Sequence, residues 1–303
     1  MNFFIYTHSY DENSGGNVVL HRLCHLINSL EGHNAWLVKF DPSTCGKPSL
    51  RKKLSKIKWL LHSKAKFKVK EGWNTPLWNK NSFPADSVAI YPEVVNGNPL
   101  GIKNVVRWLL HQPGFHYDMI DYAEGELYFK FNSAIDDFHY PGSKLSANEL
   151  KVIYYPIDIY YDRKAKRDIE YCYLVRKGKD KPVVHNNDAV PIDGLSHSET
   201  ADIFARSKNF ICYDDYTAYS IFAVLAGCAS FVVPGEGRTI SDWYPKEEDR
   251  FGIAYGFSEE QRLWAENTKA KVYEHVVKEH ERSLKNVQIC IEEMSEFFSS
   301  SRQ

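Results

Sequence analysis

Apolar residues fall along this chain in runs of two kinds. Short, nearly unbroken runs of strand length occupy residues 2–7, 35–40, 87–91, 105–110, 151–155, 171–175, 210–213 and 229–233. Other stretches carry the helical period. Residues 17–30 place Val19, Leu23, Leu26 and Leu30 on one side and end before Gly32. A second helix runs over 198–207, capped by Ser196 or Ser198. A third, 217–226, aligns Ile221, Val224 and Leu225 and has Gly227 as its C-cap. From about Glu259 the tail is helical, with Val272, Val276, Val287 and Ile291 as its apolar positions and Ser299, Ser300 and Ser301 fraying. Strands alternating with helices predict an α/β fold built on parallel sheets.

In a parallel sheet, ligands meet the loops that follow the strands' carboxyl ends. Three such loops carry chemistry. The first, residues 8–16, ends in Ser14-Gly15-Gly16 just before a helix. Gly15 and Gly16 have no Cβ and let a ligand approach the backbone, although a plain tight turn has the same composition. The second is His111-Gln112-Pro113-Gly114. The third begins at Asp214-Asp215 and opens into the helix at Thr217. Free N–H groups and the positive end of the helix dipole suit a phosphate there, with Asp215, Thr217 and Ser220 beside it. Helix capping by Asp215 or Thr217 is the plainer account.

The charged stretch 162–168 separates two halves, so the expected domains are 1–160 and 161–303. A hydrophobic content of 43% with 25% charged residues is that of a globular protein, and a net charge of −1 argues against nucleic-acid binding through bulk charge. Six scattered cysteines without a C-x-x-C pair suggest a reduced, cytoplasmic protein with no structural zinc. The apolar start is a strand rather than a signal peptide, and no stretch approaches the roughly 20 apolar residues of a membrane span.

Charge is nonetheless uneven. Ten Lys or Arg and no acid lie between Lys47 and Lys70, leaving −1 − 10 = −11 on the rest of the chain. Leu50, Leu54, Ile57 and Leu61 recur at helical spacing, while Arg51, Lys52, Lys53 and Lys56 take other faces, with Trp59 nearby. A basic amphipathic helix fits an anionic membrane surface, which would make the protein peripheral at the inner face of the membrane. A solvated helix packed on the first domain fits the same pattern.

Four passages, in order, resemble those of GT-B glycosyltransferases: Ser14-Gly15-Gly16 with its helix, His111-Gln112-Pro113-Gly114, residues 151–161 (KVIYYPIDIYY), and residues 173–182 (YLVRKGKDKP) followed by YDDYTAYSIFAVLAGCASFVVPG. The resemblance implies two Rossmann-like domains facing across a cleft, with C-terminal helices packing back toward the N-terminal domain. It implies a nucleotide-sugar donor on the second domain and a glycan or lipid-linked acceptor on the first, as in surface polysaccharide or lipopolysaccharide synthesis. Neither a metal nor another cofactor is expected. The leaving diphosphate then needs positive charge, for which Arg176 and Lys177, with Lys181 behind them, are the candidates; Thr217 and Ser220 complete the cradle. Ser14, Gly15 and Gly16 close over the diphosphate or the acceptor. His111 serves as base or sugar contact, and Asp11 and Glu12 are rival bases. Glu236 and Arg238 contact the donor or pair with each other. The two glutamates seven residues apart that many retaining members carry have no counterpart; Asp214 and Asp215 stand in that region. A non-catalytic GT-B-like subunit that scaffolds or activates a partner enzyme is therefore the main alternative, and a hydrolase or epimerase on the same fold is a third.

Overall fold

The structure is a computed structural model that describes residues 1–42, 67–117, 119–133, 135–244 and 246–300. Arg51, Lys52, Lys53, Lys56 and Trp59, the core of the basic segment, lie outside the described residues. The chain forms two compact units: unit 1 is Met1–Tyr154 together with the chain from Glu281 onward, and unit 2 is Tyr155–His280. The change of unit falls at 154/155, ahead of the charged stretch 162–168 that suggests it in the sequence.

Unit 1 is built on β1 (Asn2–Thr7), β2 (Asn34–Lys39), β3 (Ser87–Pro92), β4 (Asn104–Leu109), β5 (Leu127–Lys130) and β6 (Lys144–Leu145). Their order is β2-β1-β3-β4-β5-β6, and every pairing is parallel. β3 and β4 are buried along their whole length, which is why they read as continuous apolar runs. β1 shows how side-chain alternation divides the core. Phe3 and Ile5 pack with Leu20, Leu23 and Ile27 of α1 (Gly15–Ile27), while Phe4 and Tyr6 join Ala89, Tyr91 and Val105 in a second cluster.

Two expectations change here. α1 begins at Gly15 rather than at residue 17, so Gly15 and Gly16 form its first turn, and neither has the positive φ of a tight glycine turn. It also stops at Ile27, where the Asn28 side chain bonds both the N–H and the carbonyl of Ala35 and the carbonyl of Asn74. Residues 151–155 do not form a strand. Val152 is buried in the core, but the backbone beside it is satisfied by side chains. Trp108 Nε1 donates to the Leu150 carbonyl, and the Ile153 N–H donates to Ser283 Oγ.

Unit 2 is built on β7 (Ile169–Leu174), β8 (Val190–Pro191), β9 (Ser207–Cys212), β10 (Ala229–Val232) and β11 (Ile253–Tyr255), in the order β11-β10-β9-β7-β8 and again all parallel. Its helices are α2 (His197–Arg206), α3 (Tyr219–Leu225), α4 (Ile240–Trp243), α5 (Glu259–Thr268) and the start of α6 (Val272–Ser300). α2 opens on a capping box: Ser196 Oγ accepts the Glu199 N–H, and the Glu199 carboxylate accepts the Ser196 N–H. α3 is closed by Gly227 at φ 88°, a left-handed conformation that favours glycine, and a Cβ there would displace the Arg167 guanidinium. Along α6, Val272 and Val276 belong to the core of unit 2, and Val287, Cys290, Ile291, Met294 and Phe298 to that of unit 1. The architecture is α/β with two parallel sheets. No helix among the described residues is long and apolar enough to cross a membrane.

Candidate active site

Chain order reverses once in each sheet, between β1 and β3 in unit 1 and between β7 and β9 in unit 2. The crevice beyond the strands' carboxyl ends at such a point is where open α/β sheets bind ligands.

Unit 1 has a cavity of about 330 Å³ at this place. Thr7 and His8 reach it from the end of β1, Glu93 from the end of β3, His111 from the end of β4, and Ser14 and Gly16 from the start of α1. Glu93 is only 8% exposed. Burial pushes its carboxyl up to about 7, against the opposing pull of backbone N–H groups that include those of Leu110 and His111. The Leu110 N–H donates to Glu93 Oε2 at 3.1 Å. The loop carrying Glu93 is tied down from behind. Tyr122 Oη donates to the Glu93 carbonyl at 2.5 Å, and the Arg107 guanidinium donates to the carbonyls of Val95 and Gly97. The His8 ring lies 4.0 Å from that of Phe40 between centroids, tilted by 36°, and desolvation lowers its pKa. His111 stacks on Phe115 at 3.9 Å, and its Nδ1 accepts the Gln112 N–H at 2.8 Å.

Of the residues singled out in the sequence of unit 1, Ser14, Gly16 and His111 line this cavity. Gly15 precedes Gly16 on the exposed side of the first turn. Asp11 is exposed, accepts the Asn13 N–H at 3.0 Å and does not line the cavity. Glu93, Thr7 and His8 go unnoticed in the sequence. The usable signal is the polar residue at or just past the end of a buried run, which flags the ends of β1 and β3 as readily as that of β4.

In unit 2 the switch point gathers Arg176, Lys181, Asp214, Asp215 and Thr217. Asp193 accepts the N–H groups of Val175 and Arg176 at 2.9 and 2.8 Å and holds Arg176 at φ 41°, a left-handed conformation unusual outside glycine. The Arg176 guanidinium lies 3.8 Å from Asp214, donates to Thr217 Oγ1 at 3.3 Å and sits over the Tyr219 ring. Lys181 Nζ is 2.7 Å from Asp215 and donates to the Val233 carbonyl at 2.6 Å. The two cations are thus matched by two carboxylates. Lys177 is exposed. Ser220 is buried with its hydroxyl against the Cys212 thiol, so it is part of the core beneath the loop. Ala218 stands at the N-cap of α3, and the Thr217 hydroxyl accepts the N–H of Tyr219, its first residue, at 3.4 Å. Arg238 bonds Tyr216 Oη rather than Glu236. Because Lys181 and Asp215 are both largely buried, Lys181→Met is expected to cost roughly 1–3 kcal/mol in urea unfolding by leaving Asp215 unpaired.

Among the described residues no group of three or more His, Cys, Asp or Glu side chains is arranged to hold a metal ion. No family model matches this chain, and no curated protein matches it. Among solved structures it is similar to spinosyn forosaminyltransferase SpnP, at 10% identity over 95% of each chain with a TM-score of 0.32.

Proposed function

We propose that this chain is a GT-B-type glycosyltransferase that moves a sugar from a nucleotide-sugar donor to an acceptor hydroxyl held in the unit 1 cavity. The observation that carries the reading is Glu93, a buried carboxyl in the cavity wall at the switch point of a parallel sheet, pushed up to about 7 by that burial. Single-displacement transfer to a hydroxyl removes a proton as the new glycosidic bond forms. A base does this best when its pKa lies near the working pH. Glu93 takes that proton, while His8 and His111 hydrogen-bond other hydroxyls of the acceptor. Arg176, Lys177 and Thr217 meet the donor diphosphate, Arg176 exchanging its distant contact with Asp214 for a phosphate. The basic residues between Lys47 and Lys70 fit an acceptor carried on an anionic membrane, a surface polysaccharide or other lipid-linked glycan.

The test is a panel of nucleoside diphosphates in thermal denaturation, alongside release of nucleoside diphosphate from the matching nucleotide sugars. One diphosphate is expected to raise Tm in a concentration-dependent way, and Arg176→Ala to weaken its binding by about tenfold, the size of one charge-assisted phosphate contact. No shift with any of them, together with no donor consumed, would overturn the proposal. The ion pairs Arg176–Asp214 and Lys181–Asp215 favour a second reading, a non-catalytic subunit whose donor face has lost its free positive charge. That reading expects no donor consumption, but faster turnover by a partner enzyme when this chain is added.

A further inference from the structure

Away from the cavity, unit 1 gathers two cations and three aromatic rings at one place. α1 supplies Arg22 and His25, the loop after β1 supplies Tyr10, residues 67–74 supply Lys70 and Trp73, and Tyr154 completes the cluster. All six are half-buried, and none lines the cavity. Arg22 Cζ lies 5.2 Å from the centre of the Trp73 ring and 5.5 Å from that of Tyr154. Lys70 Nζ lies 5.7 and 5.5 Å from the same two rings and 5.9 Å from that of Tyr10. Aromatic faces attract cations, but they leave the five N–H donors of a guanidinium and the three of an ammonium without an oxygen to bond. Among the described residues neither Arg22 nor Lys70 has a hydrogen bond or an ion pair, and Arg22 Nε is buried without a partner. Other arginines differ. Arg163, Arg167 and Arg206 each meet a carboxylate, and Arg238 and Arg262 each donate to an oxygen. The positive charge is felt nearby: burial first, and then the Arg22 charge, lowers the pKa of His25. Residues 67–74 are fastened by other bonds. The Tyr10 N–H donates to the Lys68 carbonyl at 2.9 Å, the Asn74 N–H to His25 Nδ1 at 3.1 Å, and Asn28 Nδ2 to the Asn74 carbonyl at 3.0 Å.

We propose that Arg22 and Lys70, backed by Trp73 and Tyr154, form a phosphate-binding site separate from the cavity, taking the phosphate group of a soluble ester or of an anionic lipid. A phosphate brings the oxygens that both cations lack and enough charge for both. The guanidinium fork takes two oxygens, and the ammonium takes another as a point charge. Lys70 is the last residue of the basic run that begins at Lys47, which favours the approach of an anion. The site stands whether or not the chain is a transferase.

Two assays on the full chain test this: calorimetry with inorganic phosphate at an ionic strength held constant with chloride, and flotation with vesicles of phosphatidylcholine, alone or mixed with phosphatidic acid. Inorganic phosphate is expected to bind, and about tenfold more weakly in Arg22→Gln and in Lys70→Gln. Arg22→Lys keeps the charge without the fork and is expected to lose less. The binding lost in the glutamine variants is expected to survive Arg176→Ala; phosphate binding removed by Arg176→Ala alone belongs to unit 2 and sinks the proposal. Flotation that needs phosphatidic acid and fails in either glutamine variant assigns the phosphate to a lipid. Calorimetric binding sensitive to both variants, with flotation absent or unchanged by them, assigns it to a soluble ester. No binding in either assay, or binding that both glutamine variants leave unchanged, would refute the site. Should Arg22→Gln fail to fold, Lys70→Gln, on a segment held by other bonds, decides alone. Donor consumption, measured separately, bears on the transferase and not on this site.

Discussion

Arg107→Ala is expected to lower the stability of unit 1 by about 3–5 kcal/mol, read as a fall in the urea midpoint with little change in the slope. Arg107 sits inside β4 with none of its surface exposed, in a strand buried at every position. Its Nε and Nη2 grip the two carboxylate oxygens of Glu126, itself 1% exposed, at 2.8 and 2.5 Å. Its remaining donors take the carbonyls of Val95 and Gly97, and the guanidinium lies over Tyr122 at 4.2 Å and Tyr91 at 5.2 Å. Truncation therefore strands a buried carboxylate, the buried Val95 carbonyl and the half-buried Gly97 carbonyl at once. Replacing both members of such a pair with apolar side chains removes the charge penalty, so Arg107→Met with Glu126→Leu is expected to recover part of the loss. Recovery stays incomplete, because no apolar side chain can serve the Val95 and Gly97 carbonyls. That remainder measures how much of the arginine's work is holding the loop that carries Glu93. A double variant as stable as the wild type would show that the loop holds itself.

The contrast between Arg107 and its neighbours marks where sequence reasoning succeeds. Val105, Val106, Trp108 and Leu109 announce a buried strand by hydrophobicity alone, as do Phe3 to Tyr6 and Val88 to Tyr91. The arginine among them has its partner 19 residues away, which no local pattern reveals. The same holds for residues 151–155, a strand by composition, in which the Ile153 N–H is met by a serine 130 residues later. β5 and β11, of four and three residues, are too short for periodicity to register. In unit 2 the acids Asp214 and Asp215 and the bases Arg176 and Lys181 are legible as chemistry. Their mutual pairing depends on two loops from different strands meeting, so free phosphate-binding charge and spent charge look alike in sequence. Gly15 and Gly16 mislead in the other direction. Glycine is a poor helix former, so the pair reads as loop, yet the first turn of a helix tolerates it. Glu93 is the hardest case. A glutamate after a proline at a strand end is ordinary; what raises its carboxyl to about 7 is the burial that the rest of unit 1 imposes.

Glu93→Gln is expected to cut transfer by about 10²–10⁴-fold, the usual contribution of a positioned general base, while making the protein more stable at neutral pH. Both effects come from the same displaced titration. With the carboxyl near 7 in the folded chain and 4.5 as its ordinary value, the folded state holds the proton more tightly than the unfolded state does. Below about pH 4.5 both states are protonated and the residue costs nothing. As pH rises from 4.5 to 7 the unfolded chain gives up its proton first, so stability falls through that window and stays level above it. The distance between those two values corresponds to roughly 3 kcal/mol. Glutamine keeps an oxygen for the Leu110 N–H and has no charge to bury, so Glu93→Gln should recover a stability of that order at pH 8 and almost none at pH 4. Activity has the opposite dependence: the wild-type rate rises through about pH 7 as the carboxylate forms, and the variant's residual rate shows no such rise. Chemical denaturation at the two pH values and a pH–rate profile check each half independently. A variant that loses activity but gains nothing at pH 8 would mean that Glu93 is already ionised at neutrality and too weak a base for the part given to it. One that gains stability and keeps its rate would leave the pH dependence of the fold intact and send the search for the base to His111.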